Sequence, residues 1–146
     1  MPLIVRGPGV TSNRRCSTPV VSCDLFHTFL DTAQITERPD GTTDGRTLMP
    51  LLRDPQATLN RDTLHFHYPH YYSTTSPVGA IRQGHWKLLE YYEDRPLELY
   101  RLDQDPGESN NLAAAHPAIA ERLQKELRAW RKRVDALEPE TNPESN

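Results

Sequence analysis

The chain has 146 residues, and its 17 Lys plus Arg against 20 Asp plus Glu give a formal net charge of −3. That is the size of one domain, and the charge balance excludes a strongly basic nucleic-acid binder. Hydrophobic residues make up only 36% and Pro outnumbers Gly by 13 to 7, so a modest core and long irregular connections are expected.

Residues 2–6 read as a short strand. Leu3, Ile4 and Val5 are a continuous apolar run of the kind found in strands buried on both faces, and Gly7-Pro8-Gly9 ends it. The run is too short for a membrane helix or a signal peptide. A chain expressed as written is therefore expected in the cytoplasm, without a membrane or nucleic-acid partner. Residues 22–33 read as an amphipathic helix. Val21, Leu25 and Phe29 recur at spacing four, Phe26, Leu30 and Ala33 widen the stripe, Ser22 is the expected N-cap and Asp24 suits the positive helix end. Residues 36–46, with Pro39-Asp40-Gly41 and Asp44-Gly45, read as loop. Leu48, Met49, Leu51 and Leu52 read as one short helical turn around Pro50.

Residues 63–68 alternate, with Leu64, Phe66 and Tyr68 on one side and His65 and His67 on the other. Strands are expected at 78–82, 85–92 and 97–102, the first two joined by a Gln83-Gly84 turn, which makes an antiparallel meander. Asp105-Pro106-Gly107 is a turn. A helix opens near His116-Pro117, with Ile119, Leu123, Leu127, Trp130, Val134 and Leu137 on one stripe. Arg131, Lys132 and Arg133 read as its solvated basic end, and residues 138–146 as a disordered tail.

Three groupings carry candidate chemistry. His65, His67 and His70 form H-x-H-x-x-H, a set of nitrogens able to hold a divalent transition metal. His67, Tyr68 and His70 at a strand end form an aromatic, hydrogen-bonding rim suited to a sugar or sulfated ring. A packed aromatic strand accounts for the same residues without a ligand. Cys16 and Ser22 are the nucleophiles worth testing, but neither lies in a G-x-S-x-G or Cys-Gly-Ser-Cys pattern, and Cys16 and Cys23 form no C-x-x-C pair. No G-x-x-x-x-G-K-[ST] loop is present, and no carboxylate pair stands out as an acid–base couple. Residue types alone stop at an α/β to α+β chain of open function.

The order of segments adds to this. Pro2-Leu3-Ile4-Val5-Arg6-Gly7-Pro8-Gly9 resembles the "PLIVRWPG" of the formylglycine-dependent, arylsulfatase A-like sulfatases of the alkaline-phosphatase superfamily. Ser22-Cys23-Asp24-Leu25-Phe26-His27-Thr28-Phe29-Leu30-Asp31 resembles their "SxVDLFPTLLD" helix. Asp44-Gly45-Arg46-Thr47-Leu48-Met49-Pro50-Leu51-Leu52 is similar to "DGVSLLPLL", and Ala80-Ile81-Arg82-Gln83-Gly84-His85-Trp86-Lys87-Leu88 to "AIRxGDWKLI". Glu98-Leu99-Tyr100-Arg101-Leu102, Asp105-Pro106-Gly107-Glu108 and Asn111-Leu112-Ala113 follow "ELYNLxxDPGExxNLA", and His67-Tyr68-Pro69-His70-Tyr71 follows a bacterial "HYPHY". His27, His85, Arg95 and Phe66 depart from the usual Pro, Asp, Gly and Trp.

The resemblance implies a strand-plus-helix remnant of the large sulfatase α/β domain in residues 1–62. It implies a small antiparallel sheet packed on a C-terminal helix in 63–137. It implies sulfuric ester hydrolysis as the parent activity, with sulfated carbohydrate or an aryl sulfate ester as substrate, calcium and formylglycine as cofactors of a full-length relative, and export of such relatives. His67, Tyr68 and His70 would then touch substrate. Neither cysteine lies in C-x-P-x-R: Cys16 precedes Ser17-Thr18-Pro19 and Cys23 precedes Asp24-Leu25-Phe26. The family's metal carboxylates lie upstream of "PLIVR", so no catalytic or metal residue is expected here and the chain alone is expected to be inactive. A truncated or internally initiated product, or a mispredicted start, is the expected reason. The alternatives are a non-catalytic module that binds sugar or a partner, and a His-cluster metal protein.

Overall fold

The computed structural model describes residues 2–37 and 44–139. The expected Pro39-Asp40-Gly41 loop and most of the expected tail lie outside them. The chain divides into two compact units, Met1–Arg61 and Asp62–Asn146.

The first unit holds two helices, α1 (Asp24–Thr32) and α2 (Met49–Arg53, with Pro50 in its first turn), and no strand among its described residues. The strand expected at residues 2–6 is therefore not formed, and Ile4 is 91% exposed. A strand needs a neighbour to take up its backbone N–H and C=O groups, and the described residues of this unit offer none. Leu48, Leu51 and Leu59 form the core, with Val20, Leu25, Leu52 and Ala57 packed on it.

Helix α1 starts two residues later than its composition predicts. Cys23 occupies the N-cap position and gives no side-chain cap. Asp24, the first helical residue, turns back instead: its Oδ2 accepts the Val21 amide of the incoming chain at 2.9 Å. The expected apolar stripe is largely not what α1 buries. Asp24 and Thr28 face inward, while Phe26 and Phe29 lie exposed. Thr28 Oγ1 donates to the Asp24 carbonyl at 2.7 Å and accepts the Leu48 amide at 2.9 Å, tying α1 to the entrance of α2. Gly45 is required here by space: a Cβ on it would sit 2.3 Å from the Cys23 carbonyl oxygen.

The second unit is a four-stranded antiparallel meander packed on one helix. Strands β1 (Thr63–Tyr68), β2 (Val78–Gln83), β3 (Trp86–Tyr91) and β4 (Glu98–Arg101) lie in sequence order, and α3 spans Pro117–Arg133. Gln83 pairs with Trp86, so the tight turn is Gly84-His85, one residue later than expected, with the positive φ of 57° at Gly84. Register aligns His65, Ile81, Leu88 and Leu99 across the sheet. Ile81, Leu88 and Leu99 meet Ala120, Leu123 and Leu127 of α3 in a fully apolar core, flanked by Trp86, Ile119 and Trp130. Burying each of these large aliphatic side chains is worth about 1.5–3 kcal/mol.

The helical stripe ends before its sequence pattern does. Asp135 has a positive φ of 51° and the Ala136 amide returns to the Arg131 carbonyl at 3.0 Å, so Val134 and Leu137 fall past the helix and are exposed. The basic cluster also divides. Lys132 and Arg133 are solvated, but Arg131 is 6% exposed and pairs with the buried Glu90 of β3. Glu90 also accepts from Gln124 and Arg128, each at 2.7 Å. Gly79 makes room for this pair: a Cβ there would lie 3.3 Å from an Arg131 guanidinium nitrogen.

Candidate functional site

Strand alternation sorts the His/Tyr cluster onto two faces. His65 and His67 point to the helix side of the sheet, as expected, and each is held separately. The His65 ring stacks on Trp130 at 4.8 Å with an interplanar angle of 12°. His67 Nε2 lies 2.7 Å from the Leu137 carbonyl oxygen and Nδ1 lies 2.9 Å from the Tyr92 hydroxyl. A carbonyl only accepts, so Nε2 carries the proton, and Nδ1 of a neutral ring accepts from Tyr92. Burial raises the Tyr92 phenol above its ordinary value, opposed by the hydrogen bond and charge of Arg131.

Tyr68 points to the opposite face with Phe66, and both are substantially exposed, at 39% and 45%. Past Pro69 the exposed His70 meets Tyr68 edge-on, with ring centroids 5.6 Å apart. Of the three residues marked as substrate contacts, Tyr68 and His70 thus lie together and His67 lies on the other side of the sheet. The H-x-H-x-x-H set is not assembled: His65 and His67 share the helix side but are held by different neighbours, and His70 lies past the strand against Tyr68. Among the described residues no group of three or more His, Cys, Asp and Glu is placed to hold a metal ion. The described residues therefore offer no ligand set that fits a calcium ion.

Around Tyr68 and His70 stand groups that composition did not single out. Val78 of β2 lies between Tyr68 and Tyr91 in the register, which puts all three on the outer face. The Arg95 guanidinium stacks 3.7 Å from the Tyr91 ring centroid and reaches Glu98 at 3.6 Å. Tyr71 donates to Glu93 at 2.8 Å, which raises its phenol, while hydrogen bonds from Ser76 and then Tyr71 lower Glu93. Tyr72 and Thr75 exchange backbone hydrogen bonds at 3.0 and 3.2 Å and shape the loop. The signal for Arg95 was its place in a short connection after an aromatic strand, but sequence spacing does not disclose a stacking partner.

Other motif residues are structural. Asp105 carboxylate oxygens accept the Ser109 and Asn110 amides, and these bonds hold Asp105 below the usual carboxylate range. Asn111 Oδ1 accepts the Leu99 and Ala113 amides, and its Nδ2 donates to the Leu97 carbonyl at 3.0 Å, pinning this loop to β4. In the first unit Asp24 is fully buried. It receives the Arg46 amide at 2.8 Å and both Arg61 terminal nitrogens at 2.7 Å, beside the Val21 amide. Burial disfavours its charge, yet the Arg61 hydrogen bonds, the two amides and the Arg61 charge together lower its pKa. Cys16, Cys23 and Ser22 are exposed, and both cysteines are free thiols.

A four-stranded antiparallel meander on a C-terminal helix, preceded by a helical unit organised around a buried aspartate, is the architecture of a sulfatase C-terminal portion. Residues 1–133 match the family model "N-sulphoglucosamine sulphohydrolase, C-terminal", and the chain belongs to that family. It is 30% identical over 138 residues to arylsulfatase K of Mus musculus, covering 88% of this chain and 24% of that protein. Among solved structures, BT1596, a 2-O GAG sulfatase, superposes with a TM-score of 0.71 at 24% identity, over 94% of this chain and 31% of its own. BT4656, solved in complex with its substrate D-glucosamine-2-N,6-O-disulfate, gives a TM-score of 0.60 at 26% identity over 80% of this chain and 24% of its own. The chain thus spans about a quarter of the length of the curated relatives it matches.

Proposed function

We propose that this sequence is the C-terminal part of a sulfuric ester hydrolase acting on sulfated carbohydrate, and that it contributes substrate contacts and no reaction chemistry. In this reading residues 1–62 go with the large α/β domain and 63–137 form the C-terminal sheet subdomain. Formylglycine and calcium belong to segments outside this sequence. The observation that carries the reading is the family match over residues 1–133, joined to exposed Tyr68 and His70 in edge-to-face contact at the end of β1. The substrate class is supported by the disulfated glucosamine bound to BT4656.

The rim residues have suitable chemistry. Tyr68 and Tyr91 offer ring faces, His70 offers a donor, and Arg95 a cation for a sulfate group. His67 acts from behind, holding the end of β1 through Tyr92 and Leu137. An aryl sulfate is a second substrate class in the same reading. The test is an NMR titration of the purified chain with D-glucosamine-2-N,6-O-disulfate. Tyr68 and His70 resonances should move, and Tyr68→Ala with His70→Ala should abolish the shifts. Shifts confined to other residues would refute the assigned rim.

A further inference from the structure

The basic cluster near the end of α3 is part of a longer feature. Helix α3 carries six cations, Arg122, Lys125, Arg128, Arg131, Lys132 and Arg133, against two acids, Glu121 and Glu126, in a chain whose formal net charge is −3. Arg131 is turned inward, and the other five are exposed. At about 3.6 residues per turn, Arg122, Lys125, Lys132 and Arg133 fall on one solvent face around Ala118 and Ala129, with Arg128 at its edge. Glu121 is the exposed acid that shares this face. The helix dipole accounts for cations in the last turn, but not for Arg122 in the second turn or Lys125 midway. Lys125 with Arg128, and Arg128 with Lys132, stand three and four residues apart, where like charges repel.

Acids of the fold neutralise only part of this charge. Glu90 takes both Arg131 and Arg128, and Glu126 lies 3.7 Å from Arg122. Past the helix, Glu138 approaches Arg131 at 4.0 Å. Lys125, Lys132 and Arg133 form no ion pair among the described residues. The cations run along roughly 16 Å of helix between Arg122 and Arg133. Such a line suits a narrow linear polyanion. A nucleic-acid duplex would bring a broad anionic surface against a chain that is acidic as a whole. A single strand would find no ring to stack on, because the one aromatic residue of α3, Trp130, is half-buried against His65. We propose that the solvent face of α3 holds a sulfated polysaccharide, engaging sulfate groups of successive units through Arg122, Lys125, Lys132 and Arg133. The rim at Tyr68 and His70 belongs to the other side of the sheet, so α3 is a second holding point for the polymer.

The choice of polymer rests on the reading above, and the basic face stands without it. The test titrates the full chain separately with a heparin hexasaccharide, the same hexasaccharide stripped of its sulfates, and an RNA hexamer, following backbone amides by NMR. The sulfated hexasaccharide should move the Arg122, Lys125, Lys132 and Arg133 amides and should bind more weakly as salt rises. The stripped sugar and the RNA should bind about tenfold or more below it, since each lost charge-assisted contact costs about that factor. Lys125→Ala with Lys132→Ala should weaken the sulfated hexasaccharide by about tenfold or more. Both side chains are exposed, so amide exchange at Leu88 and Leu99 should stay as in wild type, as should the response of Tyr68 and His70 to D-glucosamine-2-N,6-O-disulfate. Shifts that bypass α3, equal binding of the stripped sugar or the RNA, or wild-type affinity in the double variant would each overturn the proposal. A disulfated monosaccharide that moves no rim residue, beside a hexasaccharide that still binds α3, would remove the rim and leave this site standing.

Discussion

Asp24→Asn is the sharpest test of how the first unit holds together. The wild-type carboxylate takes four hydrogen bonds, two from the Val21 and Arg46 amides and two from Arg61. Asparagine offers one oxygen and places an amide nitrogen where two of these donors point. It also removes the carboxylate charge that faces the Arg61 guanidinium. Asp24 is 0% exposed and the Arg61 side chain 12%, so water screens the pair little. Removing one partner of such a pair costs about 3–5 kcal/mol. At about 1.4 kcal/mol per factor of ten, amide exchange should accelerate roughly a hundredfold to a few thousandfold. The assay is hydrogen exchange at Arg46, Leu48 and Ile35, with Leu88 and Leu99 of the second unit as controls. The acceleration should be confined to the first unit. Exchange at Arg46 and Leu48 within about threefold of wild type would refute the reasoning. The pH dependence has a defined sign. Because the folded pKa of Asp24 is lowered, its contribution is complete above the ordinary Asp value of about 3.9 and is lost as pH falls through the depressed value. Asp24→Asn should lack that acid step.

Glu90→Ala strands the nearly buried Arg131 and should lower stability of the second unit by about 3–5 kcal/mol, while Glu90→Leu with Arg131→Met should fall within about 1 kcal/mol of wild type. Urea unfolding read by Trp86 and Trp130, the two tryptophans of the chain, measures both, and equal loss in the single and double variants would contradict the pairing. Tyr100 is pushed up to about 12 by burial and then by its hydrogen bond to Glu98. Spectrophotometric titration of the six tyrosines should therefore leave it protonated after an exposed phenol has ionised, and the stability it contributes should fade from about pH 10 upward through that value. Tyr100→Phe should remove this late step without altering the earlier ones.

What was legible in the sequence follows from local rules. Strands β1 to β4 declared themselves through alternation and turn residues, and α3 through Ile119, Leu123, Leu127 and Trp130, because each element's pattern is set by the one face it buries. Residues 2–6 misled for the same reason. An apolar run reports the burial it is suited to, not a neighbour strand, and no neighbour strand stands among the described residues of the first unit. Arg131 was hidden because a basic residue near a helix end reads as solvated unless the acid that meets it, here Glu90 41 positions earlier, is known. The rim divided in the same way. Period-two alternation placed His67 and Tyr68 on opposite sides of β1, while the stacking of Arg95 on Tyr91 rests on a connection whose path spacing does not specify.

The most direct test of the account is sulfate release from D-glucosamine-2-N,6-O-disulfate by the purified chain, alone and combined with the formylglycine-bearing remainder of a sulfatase of this family. The account predicts release in the combined sample only. Release by the chain alone, or none from the combination, would contradict it.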